Sequence, residues 1–189
     1  MAITTSNIQF GPGRIYLGAT LPGLDAQPIF TAGVPAGGID IGGTLSATIN
    51  IKTDIEAIMV EQAMAPVDVV GKKLSVSIDL EVAEIDITNL NKYLATSTLV
   101  TTVTPNFIQG GSKSAVTIVS GIVVVQPRRG TTTEYSYIML YKAFLPDGIS
   151  LPFAREKASF LKIKFEGMSD LSRADNDQVY QISNRIVSL

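Results

Sequence analysis

The 189-residue chain contains no histidine, no cysteine and no tryptophan. Without histidine and cysteine it cannot build a Ser-His-Asp or Cys-His catalytic group, a His- or Cys-ligated metal site or a disulfide bond. The side chains that remain for chemistry are those of aspartate, glutamate, lysine, tyrosine, serine and threonine. We therefore expect a protein that is not an enzyme and that uses no cofactor or metal ion.

Charge is also scarce in this chain. Charged residues make up 17% of it, against roughly 25% in a typical soluble domain. The net charge of −2 provides no basic excess that would favour nucleic-acid binding. A soluble chain with so few charges leaves much uncharged surface, and such surface is usually covered by partners. The composition therefore favours a subunit of an assembly.

Long hydrophobic runs are missing as well, so no membrane insertion is expected. Residues 1–13 carry no charge, and the positive start of a signal peptide is absent from them. The charge-free run 93–112 is rich in Thr, Ser, Asn, Gln and Pro, which argues against a spanning helix. The apolar stretch 115–125 is too short to span a bilayer and indicates a strand buried on both faces.

The strongest positive signal is a period of two. Apolar and polar residues alternate from Thr44 to Lys52 and again from Lys73 to Val82. The alternation predicts two strands, each with one buried and one wet face. We expect them to form a long amphipathic hairpin over 44–82, with its tip at 62–72.

The remaining segments indicate more β-structure and one helix. Ile87, Leu90 and Leu94 have helical spacing, so a helix is predicted over 86–96, with Asp86 as its cap. Residues 18–43 are rich in Gly, Pro and Ala and indicate a long loop or a hairpin with short legs. Further strands are predicted at 14–17, 106–108, 115–126, 134–144, 157–166 and 179–189.

Few side-chain groups suggest chemistry. Asp79 and Glu81 share one strand face with side chains roughly 7 Å apart, a separation that could serve a glycosidase pair. Their polar neighbours are serine and lysine, and no aromatic platform lies near in sequence, so a solvated or channel-lining face is favoured. The row of Tyr135, Tyr137 and Tyr141 is typical of core or interface packing.

Two charged groups lie outside the hairpin. The acidic tail contains Asp170, Asp175 and Asp177 but lacks the Gly and Glu positions of a calcium loop, so it indicates a polar connector. For Arg128 and Arg129, at a predicted turn, three interpretations stay open: a phosphate contact, a solvated tip, or a salt bridge across subunits to the acidic tail.

The block from Asp40 to Leu94 resembles the tail tube (major tail) proteins of long-tailed bacteriophages. It reads GGTLSATINIKTDIEAIMVEQAMAPVDVV, then KKLSVSIDLEVAEIDITNLNKYL. These stretches combine an amphipathic strand, a Pro-Val-Asp loop, an alternating strand rich in Glu and Ser, and a helix with an Asn-Leu core. The ending FEGMSDLSRADNDQVYQI is similar to the last core strand and C-terminal arm of that family. Segments 18–38 and 97–112 have no counterpart in it.

The resemblance implies a mainly β fold in a single domain, residues 1–189. Family members fold as a β-sandwich or partial barrel with one flanking α-helix and extended loops. The N-terminal arm would be 1–13 and the C-terminal arm 170–189. The resemblance also implies hexameric rings that stack into a tube, with about four strands per subunit in a continuous inner barrel. Such a barrel would be about 37 Å across its backbone, wide enough for duplex DNA.

On this hypothesis the lumen conducts DNA during ejection. A basic bore would hold DNA phosphates, whereas a polar and acidic one would let DNA slide. The lumen-facing candidates are Ser46, Thr48, Asn50, Ser75, Ser77, Asp79 and Glu81. Contacts between rings or subunits are expected at Pro66, Val67, Asp68, Arg128, Arg129, Asp170, Asp175 and Asp177.

The partners that the resemblance implies are further copies of the chain, a tape measure protein, tail terminator and tail-tip proteins, and transiently double-stranded DNA. It implies a location in the virion tail, after assembly in the host cytoplasm. Two alternatives stay open. One is the inner-tube ring protein of a contractile injection or secretion system. The other, from a different class, is a carbohydrate-binding β-sandwich module.

Overall fold

A computed structural model describes residues 13–24, 26–58, 68–82, 88, 91, 97–110, 118–127, 134–147, 161–175 and 177–187. These residues form a mainly β structure, as the sequence predicts. The strands are β1 (Arg14–Leu17), β2 (Phe30–Thr31), β3 (Val34–Pro35), β4 (Ile39–Ile58), β5 (Asp68–Val82), β6 (Ser97–Val100), β7 (Phe107–Gly110), β8 (Ile118–Pro127), β9 (Glu134–Phe144), β10 (Leu161–Met168) and β11 (Tyr180–Val187).

Seven of these strands form one antiparallel sheet in the order β10-β5-β4-β1-β8-β9-β11. Strand β9 also pairs with the end of β10, where Glu166 lies opposite Phe144 and Met168 opposite Lys142. The strand order therefore returns on itself, and the sheet closes as a partial barrel. This result confirms the β-sandwich or partial-barrel class.

The interior of the barrel is aliphatic, and β8 shows how it is built. Ile122 and Val124 of β8 pack into this interior, while Val123 and Val125 belong to a second cluster on the outer side. Burial on both faces is thus confirmed for residues 121–125, whereas Ile118 at the start of β8 is 58% exposed. The other large residues of the interior include Ile15, Ile41, Ile78, Leu80, Leu140, Ile163 and Phe165.

The outer cluster is covered by the small β2–β3 hairpin. The Phe30 ring lies 5.4 Å from the ring of Tyr137, and Tyr137 and Tyr141 are both fully buried. Core packing of this tyrosine row is therefore confirmed for these two residues. The hairpin turns through Ala32 (φ 50°) and Gly33 (φ 80°), the two positive φ values of a type I′ turn.

Several predicted boundaries were wrong because pairing between distant segments sets them. Strand β4 begins at Ile39 rather than Thr44, since its first residues pair with β1. Strand β5 begins at Asp68, so 68–72 belongs to a strand and not to the hairpin tip. Strand β6 was not predicted; it pairs with β7, which contains the predicted strand at 106–108 in part.

Some predictions fall on residues that the structure does not describe. In the predicted helix 86–96 only Thr88 and Asn91 are described, and both are helical. Residues 1–12 of the expected N-terminal arm, Pro66 and Val67 of the hairpin tip, and Arg128 and Arg129 lie outside the described residues. In the part of the chain that is described, no helix is long and apolar enough to cross a membrane.

Candidate assembly surface on the β4–β5 hairpin

The two long strands of the hairpin align their polar residues. Ser46 lies opposite Glu81, Thr48 opposite Asp79, Asn50 opposite Ser77 and Lys52 opposite Ser75. Directly opposed residues share one face of a sheet. All seven lumen-facing candidates therefore lie on a single surface, which we call the polar face.

The two carboxylates predicted as lumen-facing take part in hydrogen bonds within this face. Asn50 Nδ2 donates to Asp79 Oδ2 at 2.7 Å. Ser46 Oγ donates to Glu81 Oε2 at 3.3 Å. These bonds link β4 to β5 along the polar face and tie both carboxylates to the sheet itself.

Strand β10 extends the polar face on the other side of β5. Lys162 lies opposite Glu81, Lys164 opposite Asp79 and Glu166 opposite Ser77. From Ser46 to Asp54 of β4 and across to β10, the polar face carries four carboxylates and four ammonium groups: Asp54, Asp79, Glu81 and Glu166 against Lys52, Lys73, Lys162 and Lys164. Beyond Asp54, Glu56 forms an ion pair with Lys72. Strand β10 thus contributes two of the four ammonium groups, and the face is more evenly charged than the hairpin alone.

The lysines of β10 form ion pairs with carboxylates of the same face. Lys162 Nζ lies 3.2 Å from Glu81 Oε1. Lys164 Nζ lies 3.1 Å from Glu166 Oε1, and the hydrogen bond from Lys164 to Glu166 raises the pKa of the lysine. Each of these two lysines is thus matched by a carboxylate of the polar face.

The face opposite the polar one is apolar and changes character along the hairpin. Near the barrel, Val76, Ile78, Leu80 and Val82 of β5 are buried in the core. Farther out, large apolar side chains of the same face remain 43–65% exposed: Ile51, Ile55, Val69 and Leu74. The outer half of the hairpin therefore presents apolar surface to its surroundings.

The outer half of the hairpin also has unpaired edges. Strand β1 pairs with β4 only as far as Gly43, and β10 pairs with β5 only from Ser77 to Val82. Among the described residues, no strand pairs with the outer edge of β4 from Leu45 to Ile58 or with the outer edge of β5 from Asp68 to Val76. A two-stranded ribbon with both edges open is marginal in water on its own and invites pairing with another strand.

Each open edge borders a groove. The groove beside β4 has a volume of about 420 Å³, and Leu45, Ile49, Ile138 and Ile182 are among its lining residues. The groove beside β5 has a volume of about 870 Å³ and is lined in part by Leu74, Val76, Met168 and Tyr180. Each groove offers apolar side chains where an added strand would place its own.

The described residues that were expected at contacts between rings or subunits divide into two groups. Asp68 and Asp175 are exposed, so their carboxylates are accessible to a neighbour. Asp170 is buried, and its carboxylate accepts hydrogen bonds from Lys142 Nζ (3.1 Å) and Ser172 Oγ (2.8 Å). Asp177 accepts hydrogen bonds from the Tyr141 hydroxyl and from Arg173. Asp170 and Asp177 thus hold the 169–179 loop to its own barrel.

Arg173 is the centre of this loop and was missed by the sequence analysis. Its guanidinium carbon lies 4.0 Å from the centroid of the Tyr141 ring. Its Nε donates to the backbone oxygen of Asp177 at 2.9 Å, and one Nη donates to the backbone oxygen of Pro22 at 2.7 Å. Pro22 lies 151 residues away in sequence, so no local pattern could have indicated this contact.

The pKa values of the loop carboxyls follow from these contacts. Burial alone would raise the pKa of Asp177, but the hydrogen bonds from Tyr141 and Arg173 outweigh it and hold the pKa below its usual value. Hydrogen bonds from Ser172 and Lys142 lower the pKa of Asp170. Burial, together with the bond to Asp177, raises the pKa of Tyr141.

Among the described residues, no group of three or more acidic side chains is placed to hold a metal ion. No protein-family model matches the chain, and no curated protein is significantly similar to it. The function must therefore be argued from the geometry of the hairpin.

Proposed function

We propose that the chain is a structural subunit of a tube made of stacked rings, of the kind that forms the tail tube of a long-tailed bacteriophage. One observation carries this proposal. The hairpin projects a sheet that is polar on one face, apolar on the other, and open at both edges. A wall that is wet on its inner side and continuous between subunits needs these three properties.

The two open edges belong to different strands, and this difference favours a ring. The edge of β4 in one copy can pair with the edge of β5 in the next, so that every copy gives one edge and receives the other. Such a head-to-tail contact is heterologous, and it closes into a ring when the rotation between copies permits. Closure would also remove the exposed edges that make isolated sheets prone to aggregation.

The exposed apolar residues supply a driving force for this contact. Fully burying a Val, Leu or Ile side chain is worth about 1.5–3 kcal/mol. The four exposed residues on the apolar face of the outer hairpin are already about half buried, so covering them would contribute on the order of 4 kcal/mol per subunit before entropic costs. The grooves beside each edge offer apolar side chains of a neighbour for this purpose.

The polar face suits the lumen of such a tube. It carries equal numbers of positive and negative side chains, so it lacks the basic excess that would hold DNA by its phosphates. The described residues give three strands to this face, β10, β5 and β4, against the four that the resemblance implies. On this proposal a tape measure protein and then DNA would occupy the lumen.

A cross-linking experiment tests the head-to-tail contact. Because the chain contains no native cysteine, each introduced cysteine is the only thiol that can react. One variant carries Thr53→Cys on β4, and a second carries Val69→Cys on β5; both positions lie on the apolar face of the hairpin. The proposal predicts that a short bis-maleimide cross-links the mixture of the two variants much faster than either variant alone. Cross-linking of each variant with itself at the same rate would indicate a two-fold contact and contradict the proposal.

Ile29→Cys is the matched control for these variants. Ile29 is 63% exposed, lies just before β2, and is not among the residues that line the grooves beside the open edges. The control is expected to cross-link slowly with either hairpin variant. Equal yields for the control and for the hairpin pair would mean that random collision, and not edge pairing, explains the product.

A further inference from the structure

Two lysines of β10 face the same surface as the predicted lumen residues. Lys162 and Lys164 are two residues apart on one strand face, roughly 7 Å from each other along the strand. Lys162 is 76% exposed and Lys164 is 39% exposed at the side chain. Their spacing and exposure would allow both ammonium groups to contact phosphates of one nucleic-acid backbone.

A groove of about 470 Å³ surrounds these lysines. It is lined by Ser46, Thr48, Asp79, Glu81, Asp147, Lys162 and Lys164, together with two aliphatic residues. The carboxylates of Asp79 and Asp147 add their negative charge near Lys164. An anion entering this groove would therefore meet two ammonium groups that are already surrounded by carboxylates.

We propose that Lys162 and Lys164 form a latent contact for the phosphates of duplex DNA, which Glu81 and Glu166 keep neutralised by ion pairing. This inference rests on the proposed function, because it concerns the face that would line the lumen. Lysine binds phosphate as a point charge. An exposed ion pair is weak, so the pairing reduces contact with DNA without holding the lysines permanently.

The neutralised lysine–glutamate pairs would affect how DNA moves through the proposed lumen. A free lysine pair repeated in every subunit would release counterions from DNA and hold it. Paired with Glu81 and Glu166, the same lysines keep the face hydrated and polar while adding no net charge. Weak contact with DNA would then come from balanced charge and not from an excess of carboxylates.

The test is retention of the unassembled chain on a duplex-DNA column at increasing salt. The variant Glu81→Gln with Glu166→Gln frees both lysines. We expect it to bind at low salt at least tenfold more tightly than the wild type, with a slope of log affinity against log salt near −1.8, as about two phosphate contacts would give. Adding Lys162→Gln and Lys164→Gln should return retention to the wild-type level.

The matched control is Asp40→Asn with Glu56→Gln. These substitutions make the same change in net charge and free Arg14 and Lys72 from their ion pairs (3.3 and 2.8 Å), away from the β10 lysines. We expect little retention of this control. Equal retention of the control and the test variant would show a general charge effect and overturn the inference.

Circular dichroism and urea unfolding show whether the test variant is folded. If the double variant is unfolded, Glu166→Gln alone is used, and it should show about half the salt slope. A folded variant that elutes with the wild type overturns the inference, whether or not the protein forms tubes. Retention by a chain that never forms rings would support the latent contact and contradict the proposed tail tube.

Discussion

At Gly121, the absence of a side chain allows the segment after β1 to lie against β8. Gly121 has a φ of 62°, in the left-handed region that favours glycine. The backbone N–H of Ala19 donates to the Gly121 oxygen at 3.0 Å, and that of Gly18 donates to Ser120 at 3.1 Å. A Cβ at position 121 would lie 2.0 Å from the backbone oxygen of Ala19. This close approach therefore allows only glycine at position 121.

We predict that Gly121→Ala lowers the free energy of unfolding by about 3 kcal/mol or more, because it adds both a backbone clash and left-handed strain. Urea unfolding followed by circular dichroism measures this change. The control is Gly23→Ala, since a Cβ there meets no atom within 4 Å, and its effect should stay within about 0.5 kcal/mol. Equal effects at the two positions would contradict the tight contact at Gly121.

Single residues also show the limit of sequence reasoning. All seven lumen candidates were found from their period of two, and the structure brings them onto one face. Lys162 and Lys164 were not assigned to that face because β10 reaches β5 from 80 residues farther along the chain. Local alternation predicts which face a side chain occupies, but it does not predict which strand lies alongside.

At the scale of elements, alternation predicted strands more reliably than their ends. The amphipathic hairpin and strand β9 were found as expected. Strand β6 was missed because its residues, Ser97–Val100, show no clear alternation and are fixed by pairing with β7. The early start of β4 depends on β1, which a reading of residues 39–43 alone cannot show.

The 169–179 loop gives a prediction at the same scale. A carboxyl with a lowered folded-state pKa adds stability above its ordinary pKa of 3.8, and that contribution is lost as the pH falls through the folded value. We expect Asp177→Asn to lower the urea midpoint at pH 7. The difference from the wild type should shrink toward zero as the pH falls well below 3.8, because Asp177 then loses its charge-assisted bonds to Arg173 and Tyr141.

Asp175→Asn is the control for this loop, because Asp175 is exposed and accepts a hydrogen bond only from Gln178 among the contacts described for it (3.1 Å). Its effect at pH 7 should be smaller. A difference between Asp177→Asn and the wild type that stays constant from pH 7 to pH 2.5 would mean that the charge on Asp177 does not stabilise the loop.

At the scale of the whole molecule, the barrel buries its apolar side chains, whereas the outer half of the β4–β5 hairpin leaves its own exposed. The barrel buries its own core, including Ile15, Ile122 and Phe165, all at 0% exposure. The outer hairpin exposes apolar side chains and two edges that no other described part of the chain covers. On the proposed function, another copy of the chain would cover them.

We predict that Ile55→Asp reduces self-association more than tenfold, because a charge buried at a subunit contact costs well over 1.4 kcal/mol. Light scattering across a concentration series measures the effect. Ile29→Asp makes the same change at a side chain of nearly equal exposure, 63% against 65% for Ile55, outside the grooves beside the open edges, and should associate like the wild type. Equal loss in both variants would indicate that added negative charge alone disrupts assembly.

The most direct test of the central claim is negative-stain electron microscopy of the concentrated wild-type protein, with its mass followed by light scattering. The account predicts rings with a stain-filled centre that stack into tubes of uniform width. A monodisperse monomer at every concentration, without rings even after nucleation by a tail-tip extract, would contradict it.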